Sequence, residues 1–297
     1  MKNRISIVAA ISIGIGGMIG AGIFSILGVV AQASGAAMWL SFLIGGVVAL
    51  FSTYSYAKLG AKFPSAGGAV EFLIKGWGSG TVSGGLNLFM WIGYVIAIAL
   101  YAQGFASYAL TFFSAAPSPI MTKAVASGAV ILFTIINMLG AGDVGKAETF
   151  IVAVKVSILV LFAGAGLFFI EPSNLAPVHW NSTEYIFFGA GVLFIGYEGF
   201  GLITNAAGNM DNPTKSLPKA LYLAVFIVIL IYLAVSITVS GNLTTGQISA
   251  ARDFALAEAA KPFLGMFGFK LIAVAALFST ASAINATLFG GANVSYM

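Results

Sequence analysis

Charge is what this sequence most lacks. Only 7% of its 297 residues are Asp, Glu, Lys or Arg, where an ordinary soluble domain carries about a quarter. That deficit excludes a solvated globular surface. Cysteine is absent altogether, which rules out disulfides and thiol chemistry and leaves the redox compartment unreadable. The single histidine, His179, falls in a predicted loop with no metal-ligand or nucleophile–base cluster around it, so neither an enzyme nor a metal site nor a cofactor is expected. The net charge of +4 is scattered over connecting segments, which is no signal for nucleic acid.

What remains is apolar. The chain is 60% hydrophobic, with a mean hydropathy of +1.03. Runs of about 20 apolar residues recur along it, as membrane helices require and as the alternating strands of a barrel do not. The expectation is an all-α integral membrane protein with eight spans, at roughly 5–30, 36–58, 82–113, 123–140, 148–170, 185–207, 218–241 and 267–293. The opening "MKNR" leads into an apolar run too long for a cleaved signal, so it reads as a retained first span. Connector 61–80 is expected to hold a short interfacial helix, and connector 248–265 an amphipathic one. Placing the N-terminus in the cytoplasm puts Lys2, Arg4, Lys58, Lys62, Lys75, Lys146, Lys215 and Lys219 inside, against Lys123, Arg252, Lys261 and Lys270 outside. That is the positive-inside bias expected of a multi-pass protein of the plasma membrane. Asn181 and Asn242 sit in short glycosylation patterns on outer loops, and Asn285 in one within a span.

Two apolar segments are unusually rich in glycine. "GIGGMIGAGIF" (14–24) lies in the first span, and "LFIGYEGFGLI" (193–203) in the sixth. The first span runs outward and the sixth runs inward, five spans later. A matched pair of glycine-softened segments in opposite orientation is the sequence sign of an inverted-repeat secondary transporter. Unwound backbone at membrane depth is tolerated only where it lines a cavity, and its freed amides and carbonyls suit the two ends of an amino acid. The competing explanation is close helix packing, since Gly16 and Gly20 form a GxxxG contact motif.

Two ionisable residues lie inside apolar runs. Lys155 sits about two turns into the fifth span, where it either snorkels to the surface or serves as a proton-carrying switch, since a lysine withdrawn from water can exchange its proton near neutral pH. Ser279 and Ser282, three apart on the eighth span, are polar groups available to it. Glu198 lies within the sixth-span break. It faces an aqueous vestibule or pairs with a lysine, or else it contacts a cationic group of a substrate or titrates itself.

These segments resemble the APC superfamily of amino-acid transporters. The resemblance rests on "GGMIGAGIF", "YAKLGAKFPSAGGAVEF", "GNMDNPTKSLPKAL", "AETFIVAVKVSIL" and "AKPFLGMFGF…ALFSTASAINATLFGGANVSY". It covers essentially the whole chain and is strongest toward the proton-coupled, broad-specificity branch. The resemblance implies the five-plus-five inverted-repeat (LeuT-like) fold, with residues 1–170 as the first repeat and 185–297 as an incomplete second one. Family members have about twelve spans, so the chain is expected to lack the last four. By resemblance, the amides of Ala21 and Gly22 hold the substrate carboxylate, and the carbonyls of Met18, Ile195 and Glu198 face its ammonium. Lys155 would lie between Gly16 and Ser279, where sodium-coupled relatives hold their ion. The implied function is proton-coupled symport of amino acids, broad and neutral, across a lipid bilayer by alternating access. The alternative is a non-transporting fragment or assembly subunit that needs a partner for the missing helices.

Overall fold

The computed structural model describes residues 5–65, 67–113, 118–139, 144–251 and 254–296. Lys2, Arg4 and Arg252, three of the residues behind the charge bias, lie outside the described residues. In chain order the helices are α1 (Ile7–Ser25), α2 (Leu27–Ser34), α3 (Met38–Lys62), α4 (Ala69–Trp77), α5 (Thr81–Leu110), α6 (Pro119–Leu139), α7 (Val144–Gly166), α8 (Thr183–Tyr197), α9 (Gly201–Asn205), α10 (Pro213–Asn242), α11 (Thr245–Ala251), α12 (Ala255–Glu258) and α13 (Lys261–Tyr296). Eight segments among the described residues are long and apolar enough to cross a membrane, matching the eight expected spans to within a few residues at most ends. The sixth runs through α8, a 3₁₀ turn at Glu198–Phe200, and α9.

Local chemistry sets the ends. Ser6 caps α1, its hydroxyl accepting the Ala9 amide at 3.1 Å, which satisfies one of the amides a helix start leaves free. Pro213 opens α10 at its first position, where a missing N–H is harmless. Gly35 ends α2 at φ 63°, a left-handed conformation that glycine adopts without strain. Connector 61–80 contains α4 as expected, with Lys75 and Glu71 paired one turn apart at 3.5 Å. The single amphipathic helix expected over 248–265 is instead two short helices, α11 and α12, with α13 starting at Lys261. α13 is itself interrupted at Gly265, which lies at φ 60°.

The outer surface of the bundle is apolar, unlike that of a soluble protein. Phe51, Phe89, Phe113, Ile120, Met138 and Phe168 project outward, as residues facing lipid do. The core is centred on α1, α8 and α10, with α3, α7 and α13 packed around them. It holds Met18, Phe42, Leu193, Tyr197, Val228 and Tyr232, all fully enclosed. α6 adds a polar tie across the apolar interior: the Asn137 side-chain amide donates to Asn285 Oδ1 at 2.7 Å. The side-chain amide of Asn181 donates to the Gln32 and Ala33 carbonyls that end α2, and that of Asn242 donates to the Gly166 and Thr238 carbonyls. All three glycosylation patterns are therefore built on asparagines whose side chains are hydrogen-bonded within the protein.

Candidate functional site

The first and sixth spans cross as an antiparallel pair and are tied at both ends. Near the chain start, the Ile5 amide donates to the Asn209 carbonyl at 2.9 Å, in a short parallel bridge to Met210. At the far end the Ala36 amide donates to the His179 carbonyl at 3.0 Å, and the Asn181 amide to the Ser34 carbonyl at 3.3 Å. The opposite orientation of the two glycine segments is thus present.

Their conformation departs from expectation in the first span. Residues 14–24 do not unwind; they lie within the continuous helix α1, and the chain breaks only at Ile26, before α2. The glycines there are used for approach instead. A Cβ on Gly196 would lie 2.6 Å from the Gly22 Cα, and one on Gly199 would overlap the Met18 backbone nitrogen. Backbone therefore packs on backbone with no side chain between, as close-packed membrane helices do. In a continuous helix the amides of Ala21 and Gly22 belong to the helix's own bonds, so they are not free to hold a carboxylate in this conformation. The sixth span does soften, into the 3₁₀ turn at Glu198–Phe200.

The three carbonyls assigned to a substrate ammonium are each engaged. The Ile195 carbonyl accepts the Glu198 amide, and the Glu198 carbonyl accepts the Gly201 amide. The Met18 carbonyl accepts the Tyr232 hydroxyl at 2.5 Å. That hydroxyl also lies 3.1 Å from the Gly196 carbonyl, so one phenol from α10 spans both glycine segments. Tyr197 packs against it with the rings tilted at 56° and 5.1 Å between centres, and donates to the Phe42 carbonyl of α3 at 3.0 Å. Sequence reasoning missed both tyrosines. The signal available was a phenol deep in an apolar run, which has to find a partner.

Lys155 is fully enclosed, so the snorkelling alternative is excluded. Its side-chain nitrogen donates to the Gly16 carbonyl at 3.0 Å, joining the fifth span to the first. Ser279, also fully enclosed, donates to the Ile19 carbonyl one turn further along α1 at 3.1 Å. Gly16, Lys155 and Ser279 thus meet on one stretch of α1.

On the opposite flank of the glycine crossing lies a cavity of about 290 Å³. It sits toward the end at which α1 begins and α9 finishes, between α3, α5, the 3₁₀ turn and α13. Tyr56, Tyr94, Tyr101, Glu198 and Asn205 supply most of its polar groups, and Gly17 and Gly199 reach its wall. Glu198 is exposed to this space. Met18, Gly22 and Ile195 do not line it, and nothing is described of the Ala21 side chain.

The model of one family, described as amino acid permease, matches residues 5–296. The chain belongs to the amino acid permease family. It is 44% identical to the uncharacterized protein MJ0609 of Methanocaldococcus jannaschii, over all of this chain and 68% of that one. It is 35% identical to the inner membrane transport protein YbaT of Escherichia coli, over 96% of this chain and 66% of that one. This permease thus spans about two thirds of the length of those relatives. Among solved structures, a manganese transporter from Eremococcus coleocola superposes with a TM-score of 0.59 at 15% identity, over 97% of this chain and 65% of that one. At that identity the likeness concerns the fold alone. The permease is a multi-pass membrane transport protein and not an enzyme.

Proposed function

We propose that this permease is a proton-coupled amino-acid symporter of the plasma membrane, built on five-plus-five inverted repeats and working by alternating access. The observation that carries the reading is Lys155: an ammonium sealed from water, held on a backbone carbonyl of the first span. A buried charge of this kind costs several kcal/mol and is retained where it does work. A lysine so placed exchanges its proton only when the spans around it part to admit water. That links protonation to the position of the first span.

Substrate enters the same cycle through the glycine crossing. Each glycine weakens a helix by about 1 kcal/mol relative to alanine, so opening α1 near Gly20–Gly22 is inexpensive. Opening frees the amides of Ala21 and Gly22 for a carboxylate, and withdrawal of the Tyr232 hydroxyl frees the Met18 carbonyl for an ammonium, beside those of Ile195 and Glu198. The structure corresponds in this scheme to the closed crossing. With the N-terminus cytoplasmic, the Glu198 cavity faces the cytoplasm. A membrane potential of 100 mV contributes about 2.3 kcal/mol per proton to accumulation.

The test is uptake of radiolabelled neutral amino acids into proteoliposomes under a pH gradient, with and without sodium. Uptake is expected to follow the pH gradient and ignore sodium. Lys155→Met, which keeps the volume and removes the charge, is expected to abolish the pH dependence. Uptake that needs sodium and ignores pH sinks the proton mechanism.

A further inference from the structure

The Glu198 cavity carries a second assignment, which rests on the transport reading above and deepens it. Glu198 stands at the start of the 3₁₀ turn in the sixth span, within a stretch otherwise built of apolar residues and glycine. It is the one charged residue among those lining the cavity. Among the described residues its carboxylate takes part in no hydrogen bond or ion pair, and the two ion pairs described are Lys75–Glu71 and Lys261–Glu258, both elsewhere. A carboxylate at membrane depth without a counter-charge is costly, and such groups face cavities and find cationic partners.

The walls suit a cation as well. Tyr56, from α3, packs edge-on against Phe200 of the turn at 5.2 Å between ring centres. Tyr94 and Tyr101 come from successive stretches of α5 and complete an aromatic rim with it. Aromatic faces beside a carboxylate attract ammonium and guanidinium groups, through the ring quadrupole on one side and charge on the other. A volume of about 290 Å³ lies at the lower limit of ordinary ligand sites, which suits a small organic molecule. Ser52, Asn205 and Thr287, which also line it, offer hydrogen bonds to its remaining polar atoms.

We infer that this cavity is a binding site for an organic cation, in which Glu198 pairs with an alkylammonium or guanidinium group of the transported molecule. The group has two possible sources, the α-amine common to amino acids or a basic side chain, and the test separates them. Binding of radiolabelled L-alanine and L-lysine to the purified protein in detergent is measured for wild type, Glu198→Gln and Glu198→Asp, with cadaverine as competitor. Glu198→Gln keeps the shape and removes the charge; Glu198→Asp keeps the charge on a shorter arm. Thermal unfolding checks that all three are folded.

The expected result is binding at least tenfold weaker in Glu198→Gln, partly restored in Glu198→Asp, with cadaverine competing in wild type and more weakly in Glu198→Asp, but not in Glu198→Gln. A loss confined to lysine assigns the side chain as the source, and an equal loss for both ligands assigns the α-amine. Unchanged affinities in Glu198→Gln, or no competition by cadaverine in wild type, overturn the site. Binding that depends on Glu198, together with proteoliposomes that take up nothing, would keep the site and reject the symport reading.

Discussion

Gly196→Ala tests the crossing of the first and sixth spans directly. The new methyl would lie 2.6 Å from the Gly22 Cα, against about 3.5–4.0 Å for an ordinary carbon contact. Both atoms are fixed to backbone, so no rotamer relieves the overlap. The helices must part by about 1 Å there. Overpacking of this size costs about 1–3 kcal/mol. Alanine also improves helix propensity by about 1 kcal/mol over glycine, so a control has to share that gain. Gly191→Ala does: it lies in the same helix, and its Cβ meets nothing within 4 Å. The difference between the two variants isolates the clash. The absence of cysteine makes thiol-reactive dyes silent, so unfolding is followed by circular dichroism in detergent. Gly196→Ala is expected to melt several degrees below Gly191→Ala. Equal melting temperatures would refute backbone-on-backbone packing.

Other perturbations address the polar ties. Tyr232→Phe releases the Met18 and Gly196 carbonyls; it should cost about 0.6 kcal/mol and at most about 1.7, as for other hydrogen bonds between membrane helices, while amino-acid binding tightens because the competing donor is gone. Equilibrium binding to wild type and variant reads this, and weaker binding would count against the closed-crossing scheme. Asn137→Ala removes the tie from α6 to α13, and a double-mutant cycle with Asn285→Ala, read by denaturation, should return a coupling of about 0.6–1.7 kcal/mol.

The spans were readable because their signal is length. About 20 apolar residues fit a bilayer whatever they pack against, so Pro119–Leu139 and Pro213–Asn242 stand out without a neighbour. The enclosed lysine was readable for the same reason: a charge in an apolar run stands out alone. Segment 14–24 was not, because glycine lowers the barrier to unwinding and to close approach alike, and only its neighbour decides which is used. Here the neighbour is another glycine-rich backbone, and packing results. The tyrosines escaped for a related reason. Tyr56 is remote in sequence from Tyr94 and Tyr101, and Glu198 from all three, and only the bundle shows that they share a cavity. The helix expected over 248–265 failed on composition: "ISAARDFALAEAAKPFLG" is apolar on too many faces to mark one stripe.

The ties at both ends of the first and sixth spans have a mechanical consequence. Two rods joined only at their middle can scissor; two joined at the middle and at both tips cannot. With Ile5 bonded to Asn209, Ala36 to His179, and glycine set on glycine between them, the pair moves as one strut through the bilayer for as long as the crossing stays closed. A push at one membrane face is then carried to the other through the ties rather than taken up by the two spans sliding past each other. Lys155, fastened to the Gly16 carbonyl on one side, and the Glu198 cavity on the other are both mounted on it, so neither is displaced without the other registering the motion.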